Sequence, residues 1–353
     1  MADKKKARVV LRRDWTTSRQ LALAAIIYFV LALVLLHPMI FHLGDSSFHL
    51  SRPTFGSDED TLLNSTIVYH KARDLLSLRF SNYYNLPIFY PYQDTILFSE
   101  LCLTQTLAAL PLTLAGLSPH LVHDILVWLS FPLSALSMFI LCNHLVRRLE
   151  AAIVGGLCYA FCPYQFNHLV HLNLRFVMFF PLVIYFLFRY MDKRRKWDLL
   201  GLTICFILHA WSNGYYFLFS TVFLAILAGV LLWRHRHSIT RAQVLQSGAS
   251  LLIISLAIIP IMWPYNDFNE IHDLSQSHGL TISARPLDFL STFPSNWIWG
   301  ELLGAGLHER TLFFGLVPML LCVWALFGAR REVSDLIWLC RLSALCVVLA
   351  AIF

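Results

Sequence analysis

The densest run of chemistry-capable side chains is Gly56-Ser57-Asp58-Glu59-Asp60, a short way past the first apolar stretch. Adjacent carboxylates repel one another, which raises the proton affinity of one toward that of a usable base, and the same oxygens can ligate a divalent cation. Asp58, Glu59 and Asp60 are therefore candidates for a catalytic base, or, with Asp58 and Glu59 as ligands, for a divalent metal site holding magnesium or manganese. The plainer alternative is a solvated acidic loop. The second constellation is Tyr164-Gln165-Phe166-Asn167-His168-Leu169-Val170-His171-Leu172-Asn173-Leu174-Arg175. If that run is helical, His168, His171 and Arg175 stand at i, i+3 and i+7 and share one face. Such a cationic face suits a phosphate, with Arg175 offering a planar fork of donors and the histidines single hydrogen bonds. A two-histidine metal site competes, but the sequence sets no carboxylate or cysteine beside the histidines to complete it. Gln105, Asn167 and Arg285 join these three as candidate substrate contacts.

Lipid-spanning helices must position these groups. Of the 353 residues 58% are hydrophobic and 14% charged, with a mean hydropathy of +0.62, which leaves too little polar surface to cover a soluble domain of that length. The first apolar run, Gln20 to Leu43, is too long and too late for a cleavable signal peptide and reads as a retained helix. Seven basic residues, Lys4 to Arg19, precede it and hold the amino terminus in the cytoplasm by the positive-inside rule. Further spans are expected at His120 to Leu145, Ala151 to Cys162, Leu172 to Tyr190, Leu199 to Ala210, Tyr215 to Trp233, Ser250 to Trp263 and Leu312 to Phe327. Several are short, and they end outward in Pro163, Ser212-Asn213-Gly214 or Pro264, as helices do where they line a wet cavity.

Charge placement decides the segment from Ser99 to Leu117. Making it a non-crossing, interfacial or re-entrant element puts Arg147 and Arg148 inside, and nineteen of the 27 basic residues then fall on the cytoplasmic side against seven outside. The expected fold is thus an all-α integral membrane protein, a multi-pass helical bundle of about nine spans forming one polytopic domain over 1–353. A first extracytoplasmic loop with interfacial helices covers 44–98, the juxtamembrane segment 99–117, and a second large outer loop 264–311. The last span, after Arg341, breaks off at Phe353, so a carboxy-terminal portion is expected to be missing.

The net charge of +6 does not point to nucleic acid, because the basic residues cluster at helix ends rather than along one face. The eight cysteines lie in or beside apolar runs without paired metal spacing, and read as small packing side chains. Asn64-Ser65-Thr66 matches a glycosylation acceptor, a short pattern with meaning only in a eukaryotic source.

The order of basic terminus, single helix and acidic motif in a long outer loop resembles the GT-C superfamily of membrane glycosyltransferases. Asn85 to Glu100, NLPIFYPYQDTILFSE, followed by Thr104-Gln105, is similar to the loop of bacterial members of that group, and Ala160 to Leu172, AFCPYQFNHLVHL, to their next outer turn. Ser283-Ala284-Arg285-Pro286-Leu287-Asp288 and Glu309-Arg310-Thr311-Leu312-Phe313-Phe314-Gly315-Leu316 add to the likeness. By resemblance to the protein mannosyltransferase and aminoarabinose transferase families, the acid after the first helix is essential, and by position it is Asp58. The donor implied is a polyprenyl-phosphate sugar, the acceptor a hydroxyl on a glycan, lipid or protein, and the location the bacterial cytoplasmic membrane. The chain departs from the pattern in carrying histidines where those enzymes commonly offer an acid. The expected reaction is inverting transfer, with Asp58 taking the acceptor proton and Arg175, His168 and His171 stabilising the leaving phosphate. The rival expectation is a non-enzymatic transporter of, or scaffold for, lipid-linked saccharides.

Overall fold

A computed structural model describes residues 17–45, 58–80, 83–272, 284–294, 296–304 and 310–327, and among these the regular structure is entirely helical. In chain order the helices are α1 (Ser18–Leu35), α2 (His37–Ile40), α3 (Asp58–Leu76), α4 (Leu103–Leu114), α5 (Pro119–Val146), α6 (Leu149–Ala160) and α7 (Pro163–Asn167). They continue with α8 (Leu172–Arg175), α9 (Phe179–Lys193), α10 (Lys196–Ser212), α11 (Gly214–His235), α12 (Arg241–His272), α13 (Gly300–Leu303) and α14 (Leu316–Phe327). Five segments, Ser18–Leu35, Pro119–Val146, Leu172–Lys193, Gly214–Ser238 and Arg241–Phe268, are long and apolar enough to cross a bilayer.

Their outward faces fit lipid rather than water. Ile26, Val30, Val222, Leu251 and Leu256 are each more than half exposed, an apolar surface that a soluble protein would have to cover. Exposed aromatics mark both ends of the bundle, with Trp197 and Trp233 at one and Tyr215, Trp263 and Trp297 toward the other, as amphipathic rings do at headgroup level. These features fit a helical integral membrane protein.

Short connections make neighbouring helices antiparallel. The joints after α5, α9 and α11 gather Arg147, Arg148, Arg194, Arg195, Arg234 and Arg236 at one end, here called the basic end. At the other, the site end, α6 stops before Pro163 and α10 before Asn213, as the helix-breaking clusters predict. Small residues let α1, α5 and α6 approach closely, as in other membrane bundles. A Cβ on Gly156 would meet the Tyr28 hydroxyl and lie 2.7 Å from the Ala135 carbonyl, while Tyr28 Oη itself donates to the Ile153 carbonyl at 3.0 Å.

Helix α12 differs from expectation. It starts at Arg241 rather than Ser250 and runs through Pro260 and Pro264 to His272, so Pro264 does not end it. Each proline removes one backbone hydrogen bond, a loss that helices at membrane depth tolerate where neighbouring helices, side chains or local adjustments re-satisfy the freed carbonyl. The segment Ser99 to Leu117 contains only α4, twelve residues or about 18 Å, shorter than a hydrocarbon core of about 30 Å. The amino-terminal basic residues Lys4 to Arg13 and the last apolar run lie outside the described residues, while Arg19 sits in the first turn of α1.

Candidate functional site

Helix α3 begins at Asp58, so the acidic run forms its first turn, where unpaired backbone N–H groups and the helix dipole favour negative charge. The Asp58 side chain lies outside the described residues, and Glu59 is exposed. Asp60 projects toward the polar turn between α6 and α9, and its Oδ2 stands 3.2 Å from His171 Nε2, with the two side chains 41% and 16% exposed. One turn later Asn64 Nδ2 donates to the Asp60 carbonyl at 2.8 Å and reaches the Val170 carbonyl at 3.5 Å, fastening α3 to that turn. Asn64 is buried by this role, so the glycosylation pattern falls inside the packed helix.

The histidine run is not one helix. Pro163 starts α7, which ends at Asn167, and His168 to His171 form a turn before the single turn of α8. Chain reversal here brings the two rings together, with His168 Nδ1 3.2 Å from His171 Nδ1. The Tyr164 ring lies over His168 with centroids 4.4 Å apart, and its hydroxyl is 3.3 Å from that of Tyr216 on α11.

Arg175 does not share a face with the histidines. It is 1% exposed and points into the bundle, where Nη1 donates to the Gln165 backbone and side-chain oxygens and Nε donates to Ser130 Oγ at 3.3 Å. Its guanidinium lies 3.8 Å from the Phe131 ring centroid. Ser130 sits about 17 Å along α5 from its start, so the charge is deep, and these acceptors with the ring face are what make its burial tolerable. Two other expected substrate contacts are also taken up by the protein. Gln105, with no exposed surface, donates to the Ser212 carbonyl at 3.0 Å, and Asn167 donates to Thr311 Oγ1. Arg285 is exposed at the start of a 3-10 turn whose Asp288 accepts its backbone N–H at 2.7 Å. Asp288 also accepts from Arg310 Nε at 2.8 Å and Nη2 at 3.0 Å, and the Arg310 bonds hold its carboxyl below the usual carboxylate range.

Glu100, which entered the sequence analysis only as the last residue of the NLPIFYPYQDTILFSE motif, was given no role there. Its Oε2 accepts from Asn173 Nδ2 at 3.0 Å and Asn213 Nδ2 at 2.8 Å, and its Oε1 from the Gly214 N–H at 3.1 Å. One carboxylate thereby joins three connections at the site end. Burial pushes its carboxyl above the usual range, opposed by these donors. The available signal was an acid flanked on both sides by apolar residues, in TILFSELCL, together with the amides of Asn173 and Asn213.

Beside the Asp60–His171 pair opens a small apolar cleft of about 70 Å³, formed by Leu35 at the end of α1, Met39 of α2, Val127 of α5, Phe166 of α7, and Leu169 and Val170 of the turn. Thr61 and His123 supply its polar atoms, and Thr61 and Val170 are the chain neighbours of Asp60 and His171. The acid–histidine pair thus stands at the edge of a greasy recess. Among the described residues no three His, Cys, Asp or Glu side chains converge on a metal-sized point; of the two expected metal ligands, Glu59 is exposed and the Asp58 side chain lies outside the described residues. Comparison with known proteins adds no relative: no protein-family model, curated protein or solved structure matches the chain.

Proposed function

We propose that this chain is a membrane glycosyltransferase of GT-C type that moves a sugar from a polyprenyl-phosphate donor to an acceptor hydroxyl with inversion. The observation that carries the reading is the apolar cleft with an acid–histidine pair at its edge. A lipid-linked sugar needs both at once, a dry groove for the tail and ionisable groups where the headgroup emerges. On this reading the site end is extracytoplasmic, the basic end and the amino terminus are cytoplasmic, and about nine spans cross the bacterial cytoplasmic membrane. Asp58 takes the acceptor proton as its oxygen attacks the anomeric carbon and the phosphate departs. His168 and His171 act on the leaving phosphate. Arg175, sealed by Gln165, Ser130 and Phe131, instead holds the turn that carries the histidines.

The rival, a carrier of or scaffold for lipid-linked saccharides, finds its best support in the depth of Arg175, since ionisable groups near the midplane often mark transport paths. That guanidinium is enclosed by protein atoms rather than lining a route. Mass spectrometry of envelope glycans and lipid-linked sugars, with and without the protein, separates the two. Transfer predicts loss of one glycan substituent with accumulation of its lipid donor. Unchanged glycans despite stable expression would favour the rival.

A further inference from the structure

Helices α5 and α9 pack together and finish in the same way at the basic end. Arg147 and Arg194 take the left-handed conformation that closes α5 and α9, with φ of 59° and 53°, a backbone region where glycine or asparagine costs least. The next residues, Arg148 and Arg195, stand extended at the N-caps of α6 and α10. Serine, threonine, aspartate or asparagine would cap a helix there, and neither arginine side chain does. A C-terminal arginine suits the helix dipole, but an arginine at an N-cap opposes it. The same Arg-Arg pair thus breaks the same local preferences at two neighbouring corners, which points to a demand on the side chains rather than on the turns. All four arginines are exposed, and among the described residues none of their guanidiniums makes a hydrogen bond or ion pair.

The two corners share one field. Arg147 acts electrostatically on Asp192 in the last turn of α9, and Arg194 on His235 in the last turn of α11. Ten described Arg and Lys side chains stand at this end against three acids, Glu150, Asp192 and Asp198, and Asp198 is already bound by Arg189 at 2.6 Å. Exposed Trp197 and Trp233 flank the corners, with Lys196 and Arg236 over their rings at 5.3 and 5.2 Å, which sets the patch at headgroup level. Toward the middle of the bundle the surface turns apolar, through exposed Leu200, Ile204 and Leu232. We propose that this end seats the headgroup of an anionic phospholipid, its phosphate taken by Arg147, Arg148, Arg194 and Arg195 and its acyl chains laid on α10 and α11. A guanidinium fork meets a phosphate with two hydrogen bonds, and the apolar flank favours a lipid over a free anion. Such a seat is independent of sugar transfer and lies at the opposite end from the Asp60–His171 pair.

The test is thermal unfolding of the full-length protein in a neutral maltoside detergent, with dioleoylphosphatidylglycerol, dioleoylphosphatidylcholine or inorganic phosphate added. A seated lipid stabilises the fold by mass action, so phosphatidylglycerol should raise the midpoint by about 2–4 °C, with the other two additions leaving it within about 1 °C. Arg147→Gln combined with Arg194→Gln should raise the concentration of phosphatidylglycerol needed by about tenfold or more. Arg236→Gln combined with Arg241→Gln removes the same charge from the same end and should leave the response in place. The readout is a difference within each variant, so a lower starting midpoint does not imitate its loss, and the parent series decides by itself where a variant fails to fold. In the parent, an equal rise with phosphatidylcholine or phosphate, or no rise with phosphatidylglycerol, overturns the seat. Equal weakening by the two variant pairs overturns it as well.

Discussion

Two polar regions at the same end of the bundle treat their charges in opposite ways. At the edge of the cleft, Asp60 and His171 remain partly exposed and meet one another at 3.2 Å, and His171 also meets His168. Four residues beyond His171, buried Arg175 is engaged by Gln165 and Ser130, and half-buried Glu100 is engaged by Asn173, Asn213 and Gly214. Both regions are built from residue types that a sequence reader would assign to chemistry. Partner chemistry separates them: a charge held by several amide, hydroxyl or backbone groups of the protein holds the fold, whereas an acid and an imidazole that face one another at an opening are placed to exchange protons.

The contrast breaks most readily at Arg175. Arg175→Ala leaves the Gln165 and Ser130 oxygens unpaired around a cavity, an expected loss of about 3–5 kcal/mol in thermal unfolding in nanodiscs. Asp60→Asn, removing half of a partly exposed pair, should stay within about 1 kcal/mol by the same measurement. Equal losses would erase the distinction. Glu100→Ala should follow Arg175 at about 2–4 kcal/mol, since three donors lose a charged acceptor. Its titration adds a sign. Because the folded carboxyl binds its proton more tightly than the unfolded one, this group favours the fold at low pH, and that contribution erodes as pH rises from the ordinary value of about 4.5 through the raised one. Glu100→Gln should remove that slope from the stability profile.

Gly156→Ala supplies a purely steric reference. The new methyl meets the Tyr28 hydroxyl and the Ala135 carbonyl, an expected loss of about 1–3 kcal/mol that Tyr28→Phe should partly restore. The smallest effect should come from Arg310→Gln. Asp288 is held below its ordinary range by Arg310, so the latch acts at neutral pH, above about 3.8, and is lost as pH falls through the lowered value. Faster hydrogen exchange at the Leu312 and Phe313 N–H groups, which bond the Asp288 and Ser291 carbonyls, would report its release.

The helical membrane class was legible because apolar length and charge placement are properties of local sequence. Helix ends at Pro163 and Asn213 were legible for the same reason, being set by residues in place. Pro264 misled because a membrane helix can run through a proline where neighbouring helices, side chains or local adjustments re-satisfy the freed backbone groups. The acid–histidine pair could not be read, since Asp60 and His171 are more than a hundred positions apart and meet only when α3 docks on the turn. Periodicity placed Arg175 with His168 on a shared face; the break at Asn167 turned it inward instead. Glu100 stood out in sequence only as an acid among apolar residues, and its role depends on three donors more than seventy positions away.

The account centres on acid-assisted sugar transfer at the edge of the cleft, and Asp58→Asn examines it most directly. The parent and variant, matched for thermal midpoint in nanodiscs, would be supplied with lipid-linked sugars and acceptors extracted from the native membrane, and product formation followed by mass spectrometry. Loss of the general base predicts transfer reduced by about 10²-fold or more with the fold intact. Undiminished transfer by Asp58→Asn would contradict it.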